Sequence, residues 1–310
     1  MKQKIGKKIS SIFLGIRLYN LDIIFEGNPM RVTIIGIDGL DYNIVKALEL
    51  RGLQQEIYGK LSIPEECFRE IGKGVYSPWT PLCWMTIITG QIPPEEYRQN
   101  KKKVYTNDSL DWVRRNLGKY LGFVKGKRKL LRKYGAELSK YKMMETPFVR
   151  GMATFFDLAK DPIDFNIPSY SEGYTLRPFG TEAEGLEHLK LFDKEDKLVK
   201  QFIRSLLNRN SNYDLFMAYM RAIDHYGHQK FGTRDFFNRY KLMDVFIHGL
   251  SQKVDGLLLI CSDHGFQQLE GTKTGGRHSN YAFYSMNQEI DMPMNSLLDI
   301  YPLIEYAIKN

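Results

Sequence analysis

The chain has 310 residues, of which 43% are hydrophobic and 26% are charged, and this composition excludes a disordered protein. Three cysteines are too few for a disulfide framework and favour a reducing compartment, so we expect a cytoplasmic protein. The net charge of +8 is concentrated in residues 98–142, which carry 15 Lys and Arg against three acids, whereas the rest of the chain has a net charge of −4. No apolar run reaches the roughly 20 residues that a membrane helix needs.

Three regions follow from the distribution of charge and hydrophobicity. Residues 1–29 are a basic extension, for which a terminal segment without fixed structure and an amphipathic helix on a membrane surface remain alternatives. Residues 30–90 and 150–310 alternate between strand-like and helix-like patterns and are expected to form the core. Residues 91–149 are basic, with apolar residues at helical spacing, and predict an inserted cap whose second helix covers 130–144.

Three apolar runs predict strands that are buried on both faces. They cover Val32 to Asp38, Leu215 to Met220 and Gly256 to Ser262. Helical patterns follow from about Asp41 to Arg51 and from Thr233 to Gln252. Buried strands that alternate with helices predict an α/β fold with a doubly wound, mainly parallel sheet sandwiched by helices.

An aspartate follows each of these strands. Asp38, Asp224 and Asp263 would meet at one edge, because functional sites of open α/β sheets lie outside the carboxyl ends of the strands. A single such aspartate is more often a turn residue or a helix cap. Three together, two of them with histidine nearby, favour a shared site.

Histidines near these aspartates suggest a metal centre. Asp224 and His228 are four residues apart, His264 follows Asp263 directly, and His278 lies further along the chain. Mixed carboxylate and imidazole ligands suit zinc, with manganese or iron as alternatives. The adjacent pair of Asp263 and His264 either serves two ions or flanks one from a sharp turn, and no metal role is assigned to His225.

Thr80 is the candidate nucleophile. It directly precedes Pro81, which favours the first turn of a helix, so its hydroxyl is expected at a helix N-cap beside the positive end of the helix dipole. The alternative is an ordinary capping threonine with no catalytic role.

At this point the chain resembles the type I phosphodiesterase/nucleotide pyrophosphatase family of the alkaline phosphatase superfamily. The resemblance is carried by Ile37-Asp-Gly-Leu, Thr80-Pro-Leu-Cys-Trp-Met-Thr-Ile-Ile-Thr-Gly90, Asp224-His-Tyr-Gly-His228 and Ser262-Asp-His-Gly-Phe266, in that order. The resemblance implies an alkaline phosphatase-like core and two divalent ions. It implies Asp38, Thr80, Asp263 and His264 as ligands of one ion, Asp224, His228 and His278 as ligands of the other, and Thr80 as the nucleophile.

The implied activity is hydrolysis of phosphodiester or pyrophosphate bonds through a phospho-threonine intermediate. The implied partner is an anionic phosphate ester such as a nucleotide, and no specific nucleic acid is expected. A phosphomonoesterase with the same metals remains an alternative, as does a non-catalytic protein that binds anions or nucleic acid through the basic segment.

This sequence departs most from the family pattern in the residues that are expected to contact the substrate. The His-Gly-Ile stretch found in many relatives after the Thr-Gly is absent, and Asn100 is a loose candidate for the asparagine that holds the phosphoryl oxygen. Trp79, with Tyr76 nearby, is a candidate for stacking on a base or sugar. The basic candidates for attracting the substrate are Arg114, Arg115, Lys127 and Arg128.

Overall fold

The computed structural model describes residues 30–72, 74–98, 105–106, 142–143, 149, 151–171, 182–208, 212–271 and 274–310. The strands in these ranges are β1 Val32–Ile37, β2 Ile57–Ser62, β3 Phe68–Gly72, β4 Val75–Pro78, β5 Tyr105–Thr106, β6 Lys142–Met143, β7 Pro162–Phe165, β8 Leu215–Met220, β9 Leu257–Cys261, β10 Phe266–Gln268, β11 Gly276–His278 and β12 Tyr281–Met286.

The helices in the described ranges are α1 Tyr42–Ala47, α2 Arg51–Gln54, α3 Thr80–Thr89, α4 Glu95–Arg98, α5 Glu182–Asn208, α6 Ala222–Lys230, α7 Arg234–Ser251 and α8 Ile300–Lys309. The same ranges contain short 3₁₀ turns at Glu65–Cys67, Phe155–Leu158 and Leu297–Asp299. The three predicted strands and the helix predicted over 233–252 are confirmed to within about one residue at each end.

A six-stranded sheet with the order β2-β12-β9-β1-β8-β7 forms the centre of the molecule. β1 pairs in parallel with both β8 and β9, and β7 pairs in parallel with β8. β12 runs antiparallel to β9 and β2, so the sheet is mixed at one side. The expected α/β fold with a mainly parallel sheet between helices is confirmed.

The three inner parallel strands, β1, β8 and β9, place their residues alternately in two cores. Along β1, Val32 and Ile34 pack into one cluster with residues of α3 and α8, whereas Ile35 and Ile37 pack into the other with residues of α5, α6 and α7. β8 and β9 alternate in the same way. Burial of both faces is the reason that these strands read as continuous apolar runs in the sequence.

The central helix α3 lies directly against the sheet. Its residues from Leu82 to Thr89 are all buried. A Cβ atom at Gly36 would lie 2.5 Å from the Trp84 ring, so only glycine at this position in β1 leaves room for the indole. This close packing fixes the start of α3, and therefore Thr80, relative to the carboxyl end of β1.

The helix predicted from Asp41 to Arg51 is wrong as a single element. The structure has the two short helices α1 and α2, and the chain turns between them at Glu49, whose φ is 50°. Tertiary packing outweighs helical propensity here, because α2 lies so close to α7 that a Cβ atom at Gly52 would be 2.4 Å from the Asp244 carbonyl oxygen.

Most of the predicted cap and the whole of the extension 1–29 lie outside the described residues. Within the cap, β5 and β6 pair antiparallel, so the end of the helix predicted over 130–144 is wrong at Lys142 and Met143, where strand pairing replaces helical hydrogen bonds. Among the described residues, no helix is long and apolar enough to span a membrane.

Candidate metal centre

The carboxyl edge of the parallel strands brings the predicted ligands together. Asp38 directly follows β1, Asp224 lies in the first turn of α6 just after β8, and Asp263 and His264 follow β9. The other three residues come from elements that border this edge: His228 from α6, His278 from the end of β11, and Thr80 from the start of α3. All seven residues lie in one connected cluster.

The first part of the cluster surrounds the His264 side chain. Its Nε2 atom is 3.3 Å from Asp38 Oδ1, 3.3 Å from Asp263 Oδ2 and 3.3 Å from the Thr80 hydroxyl. Asp263 and His264 are fully buried. The adjacent Asp263 and His264 therefore bring a carboxylate oxygen and an imidazole nitrogen together, as they must if both flank one ion.

The second part of the cluster surrounds Asp224. Its Oδ1 atom is 3.3 Å from His228 Nε2 and 3.3 Å from His278 Nε2, and the two imidazole nitrogens are 3.0 Å apart. These three residues offer one carboxylate oxygen and two nitrogens within 4.8 Å of one another. Such a set is suited to a divalent ion such as zinc.

The two parts are contiguous. The imidazole rings of His264 and His278 stack with their centroids 3.5 Å apart, and His264 Nε2 is 4.0 Å from Asp224 Oδ1. Asp224 also forms a candidate ligand group with Asp38 and His264. Asp224 therefore borders both parts, whereas the family resemblance implies it for one ion only.

Unpartnered buried carboxylate oxygens show that the cluster fits cations. Asp38 Oδ1 and both carboxylate oxygens of Asp263 are buried and accept no hydrogen bond from the described residues. A buried carboxylate without a partner is costly, and metal coordination is one of the few arrangements that compensates it. The combination of carboxylates and imidazoles matches the ligands of zinc or manganese.

The pKa shifts within the cluster also indicate a site suited to cations. Burial, together with the charges of Asp263 and Asp224, raises the pKa of Asp38 well above its usual value, and burial raises the pKa of Asp263 to about 7. Burial also lowers the pKa of His264, which keeps its imidazole neutral and able to bind a metal.

The pKa of Asp224 shifts in the opposite direction, because two histidines lie beside this carboxylate. Burial alone would raise its pKa, but His228 and His278 hold the pKa of Asp224 well below its usual value. Burial would lower the pKa of His278, but the hydrogen bond and the charge of Asp224 raise it.

Several groups that the sequence did not reveal orient the ligands. The Tyr219 hydroxyl donates to Asp38 Oδ2, which leaves Oδ1 facing His264. His278 Nδ1 lies 2.9 Å from the Pro78 carbonyl oxygen, which directs its Nε2 into the cluster. Tyr219 lies within β8, where its spacing is that of an ordinary core residue, so no sequence signal distinguishes it.

Asp41 is a second residue that sequence reasoning missed. Its Oδ1 accepts from the backbone N–H groups of Asn43 and Ile44, and its Oδ2 accepts from the N–H of Phe266 and from the Tyr281 hydroxyl. The first two hydrogen bonds cap α1, and the other two connect the segment after β1 to residues that follow β9, and so hold Asp38 and His264 in register.

Gly227, in the middle of the Asp-His-Tyr-Gly-His motif, has a steric explanation. A Cβ atom there would lie 2.5 Å from the Phe266 ring. The ring also packs edge-on against His228 and His278, with centroids 5.2 and 5.4 Å away. Phe266 thus packs against both imidazoles, and glycine at position 227 lets α6 approach the Phe266 ring.

Thr80 is the first residue of α3 rather than its N-cap, so the predicted capping position is wrong by one residue. Trp79 is the N-cap, with extended backbone, and Pro81 is the second helical residue. Trp79 takes this position because its carbonyl oxygen accepts the N–H groups of Leu82 and Cys83. Thr80 keeps its place at the positive end of the helix, with its hydroxyl beside His264.

The remaining candidates are less closely tied to the cluster. Trp79 is half-buried against the core, and the guanidinium carbon of Arg69 lies 4.8 Å from its ring centroid, while Tyr76 is exposed. His225 stacks on Phe192 with centroids 3.4 Å apart. The other candidates, Asn100, Arg114, Arg115, Lys127 and Arg128, lie outside the described residues.

Solved structures similar to this chain share low sequence identity with it. Murine ectonucleotide pyrophosphatase/phosphodiesterase 5, in an inactive form with AMP, is 10% identical with a TM-score of 0.43; the match covers 78% of this chain and 59% of that chain. Phosphonoacetate hydrolase from Sinorhizobium meliloti 1021 with phosphonoformate is 14% identical with a TM-score of 0.43, covering 77% and 57%. The chain thus spans less than two thirds of the length of these two relatives.

A protein of the alkaline phosphatase superfamily from Vibrio parahaemolyticus is 11% identical with a TM-score of 0.41, covering 92% of this chain and 67% of that one. No curated protein sequence matches the chain. The family model described as type I phosphodiesterase / nucleotide pyrophosphatase matches residues 32–293, which include Thr80 and all the predicted metal ligands. The chain therefore belongs to the type I phosphodiesterase/nucleotide pyrophosphatase family.

Proposed function

We propose that this chain is a two-metal hydrolase that cleaves phosphodiester or pyrophosphate bonds through a phospho-threonine intermediate. The observation that carries the proposal is the position of the Thr80 hydroxyl, 3.3 Å from His264 Nε2, beside buried oxygens of Asp38 and Asp263 that accept no hydrogen bond from the described residues. Family membership supports a phosphoric ester hydrolase, because the match includes the complete candidate site.

Seven side chains would hold the two ions. Asp38, Thr80, Asp263 and His264 would bind the first, and Asp224, His228 and His278 the second. Two bound divalent ions, zinc in our proposal, would supply Lewis-acid stabilisation of the attacking and leaving oxygens. Tyr219 and the Pro78 carbonyl oxygen keep Asp38 and His278 oriented for this task.

The proposed reaction consists of two successive displacements at phosphorus. In the first, Thr80 Oγ1 attacks phosphorus, the bond from phosphorus to the leaving oxygen breaks, and the Thr80 proton passes through solvent to that oxygen, so that an alcohol or phosphate leaves. In the second, water attacks the phosphoryl group on Thr80, and Oγ1 leaves and regains a proton. The start of α3 beside Thr80 favours the negative charge of the phosphoryl group in both steps.

The substrate in this proposal is an anionic phosphate ester, and a nucleotide is one such molecule. A phosphomonoesterase would use the same residues, so the substrate panel described next also decides between the two activities. A cytoplasmic location is part of the proposal; the small number of cysteines supports it, and cell fractionation would test it.

The decisive experiment compares Thr80→Ala with Thr80→Ser on chromogenic phosphodiesters, phosphomonoesters, phosphonates and sulfate esters, each with zinc or manganese. We expect Thr80→Ala to lose roughly a thousandfold or more in kcat, because the nucleophile is removed. Thr80→Ser keeps a hydroxyl and should retain measurable turnover. Mass spectrometry after acid quenching should find a phosphoryl group on the peptide that contains residue 80 in the wild type, and none on this peptide in Thr80→Ala.

Metal content is measured on the same preparations. We expect about two ions per chain and loss of activity after chelation, which added metal restores. Near-normal turnover of Thr80→Ala would exclude the phospho-threonine mechanism. An active preparation without metal would exclude the two-metal site.

A further inference from the structure

A cavity of about 180 Å³ lies between α5 and α7, separate from the ligands of the metal centre. Its apolar wall is formed by the first turn of α6, at Ala222 and Ile223, and by Met243 of α7. All three side chains are buried, and Leu242 borders the cavity with an exposed side chain. The volume is close to that of cavities that bind a benzene-sized molecule, which is about 150 Å³.

Cationic side chains outnumber the acids that line this cavity. The cations are Lys197, Lys200, Arg204 and Arg239, and the acids are Asp193 and Asp196. Both carboxylate oxygens of Asp193 already have partners within the protein. Its Oδ1 is 2.7 Å from Arg239 Nη1, and its Oδ2 accepts a hydrogen bond from the Tyr226 hydroxyl at 2.9 Å. Arg239 and Asp193 therefore neutralise one another.

Asp196 compensates little of the remaining charge. It is buried, and burial raises its pKa to about 7 although Lys200 opposes the shift. Near neutral pH this carboxyl is therefore only partly ionised. It gives less than one full negative charge to balance the remaining three cations.

Lys200 and Arg204 hold their charged groups over the same aromatic ring. The Lys200 ammonium is 5.1 Å and the Arg204 guanidinium carbon 5.3 Å from the Phe246 ring centroid. Among the described residues, neither forms an ion pair with a carboxylate. Burial lowers the pKa of Lys200, because removing the ammonium from water disfavours its charged form. A bound anion would offset this cost by its attraction to the ammonium.

We propose that this cavity, the α5–α7 pocket, binds a small organic anion, with its charged group against Lys200 and Arg204 and its apolar part against Ile223 and Met243. Both short-chain carboxylates and small phosphate monoesters have this chemistry. The proposal does not depend on the proposed hydrolase function, since none of the pocket residues is a metal ligand.

Isothermal titration calorimetry on the metal-loaded full chain tests the pocket. The probes are butyrate, ethyl phosphate and inorganic phosphate, which separate carboxylate from phosphate recognition and show what the apolar part contributes. The test variant is Lys200→Gln with Arg204→Gln. Its matched control is Lys190→Gln with Lys194→Gln, which makes the same charge change on exposed positions of α5 outside the pocket.

We expect one anion to bind the α5–α7 pocket of the wild type, in addition to any phosphate probe at the metal centre. The affinity of the pocket should fall roughly tenfold or more in the test variant, because hydrogen bonds to two charged groups are lost. The control should bind like the wild type. Asp224→Asn, which weakens the metal centre, should keep this binding event. Leu242→Trp keeps all the charges but fills the mouth of the pocket, so it should also weaken binding and serves if the double variant unfolds.

Three results would overturn the proposal. The first is an absence of binding by all three probes. The second is equal affinity in the test and control variants. The third is loss of the binding event in Asp224→Asn, which would show that the anion binds at the metal centre.

Discussion

Asp38 and Asp41 lie three residues apart in the segment after β1, and both are buried, yet their surroundings are opposite. Asp41 accepts four hydrogen bonds, two of which cap α1 and two of which come from Phe266 and Tyr281, far along the chain. Asp38 accepts one, from Tyr219, and its other oxygen faces Asp263 and His264 without a partner. A fully bonded carboxylate stabilises the fold, whereas an unbonded one among other acids costs stability until a cation binds.

Asp196, in the α5–α7 pocket, lies between these extremes. It is buried, it is opposed by the charge of Lys200, and the N–H of Ala222 hydrogen-bonds to it. The three aspartates thus form a series from structural to functional, ordered by how completely the protein satisfies each carboxylate. The predictions below replace each carboxylate with the amide of the same shape and measure how far the series holds.

Asp38→Asn should have the largest effect. We expect about one ion per chain instead of two, and a loss of affinity at the first ion of roughly a hundredfold or more, because a charged ligand becomes neutral. The metal-free variant should be more stable than metal-free wild type, because one of three neighbouring buried carboxylates is removed. Elemental analysis and denaturant unfolding in chelator measure both. Two tightly bound ions in the variant would contradict the assigned role.

Asp41→Asn is the matched control and should give the reverse pattern. We expect the chain still to bind two ions, but to lose about 2–3 kcal/mol of unfolding free energy. The cause is that the new amide group would face the Phe266 N–H and the Tyr281 hydroxyl, which are both donors to Asp41 Oδ2 in the wild type. Unchanged stability would show that these hydrogen bonds contribute little.

The comparison also shows what the sequence can and cannot predict. The strands were predictable because burial on both faces leaves a continuous apolar run. The seven residues of the candidate metal centre were predictable because three aspartates follow strands and the family resemblance implies the other four. Asp41 and Tyr219 were not, because their partners come from segments far along the chain: Tyr281 is 240 residues from Asp41, and Tyr219 is 181 residues from Asp38. The break between α1 and α2 depends in the same way on the distant helix α7.

Asp196→Asn should change the pH dependence of stability by a smaller amount. The folded-state pKa of Asp196 is raised from 3.8 to about 7, so its contribution to stability is fully present below about pH 4 and is lost as the pH rises through 7. The variant cannot ionise here and should lose less stability over that window, by a few kcal/mol at most. Urea unfolding of both proteins between pH 4 and 8 measures the difference. Parallel curves would show that Asp196 titrates normally.

The basic segment 98–142 should have the smallest effect, and only on substrate capture. It carries a net charge of +12 next in sequence to the nucleophile helix, so it can raise the local concentration of an anionic substrate without contributing to the chemical step. The alternative is a solvated basic surface. Neutralising Arg114, Arg115, Lys127 and Arg128 together should lower kcat/KM at low salt, flatten its decline as salt rises, and leave kcat unchanged, because salt screens the attraction that the variant lacks. Equal salt slopes in the two proteins would rule out electrostatic capture by this segment and leave it as a solvated surface.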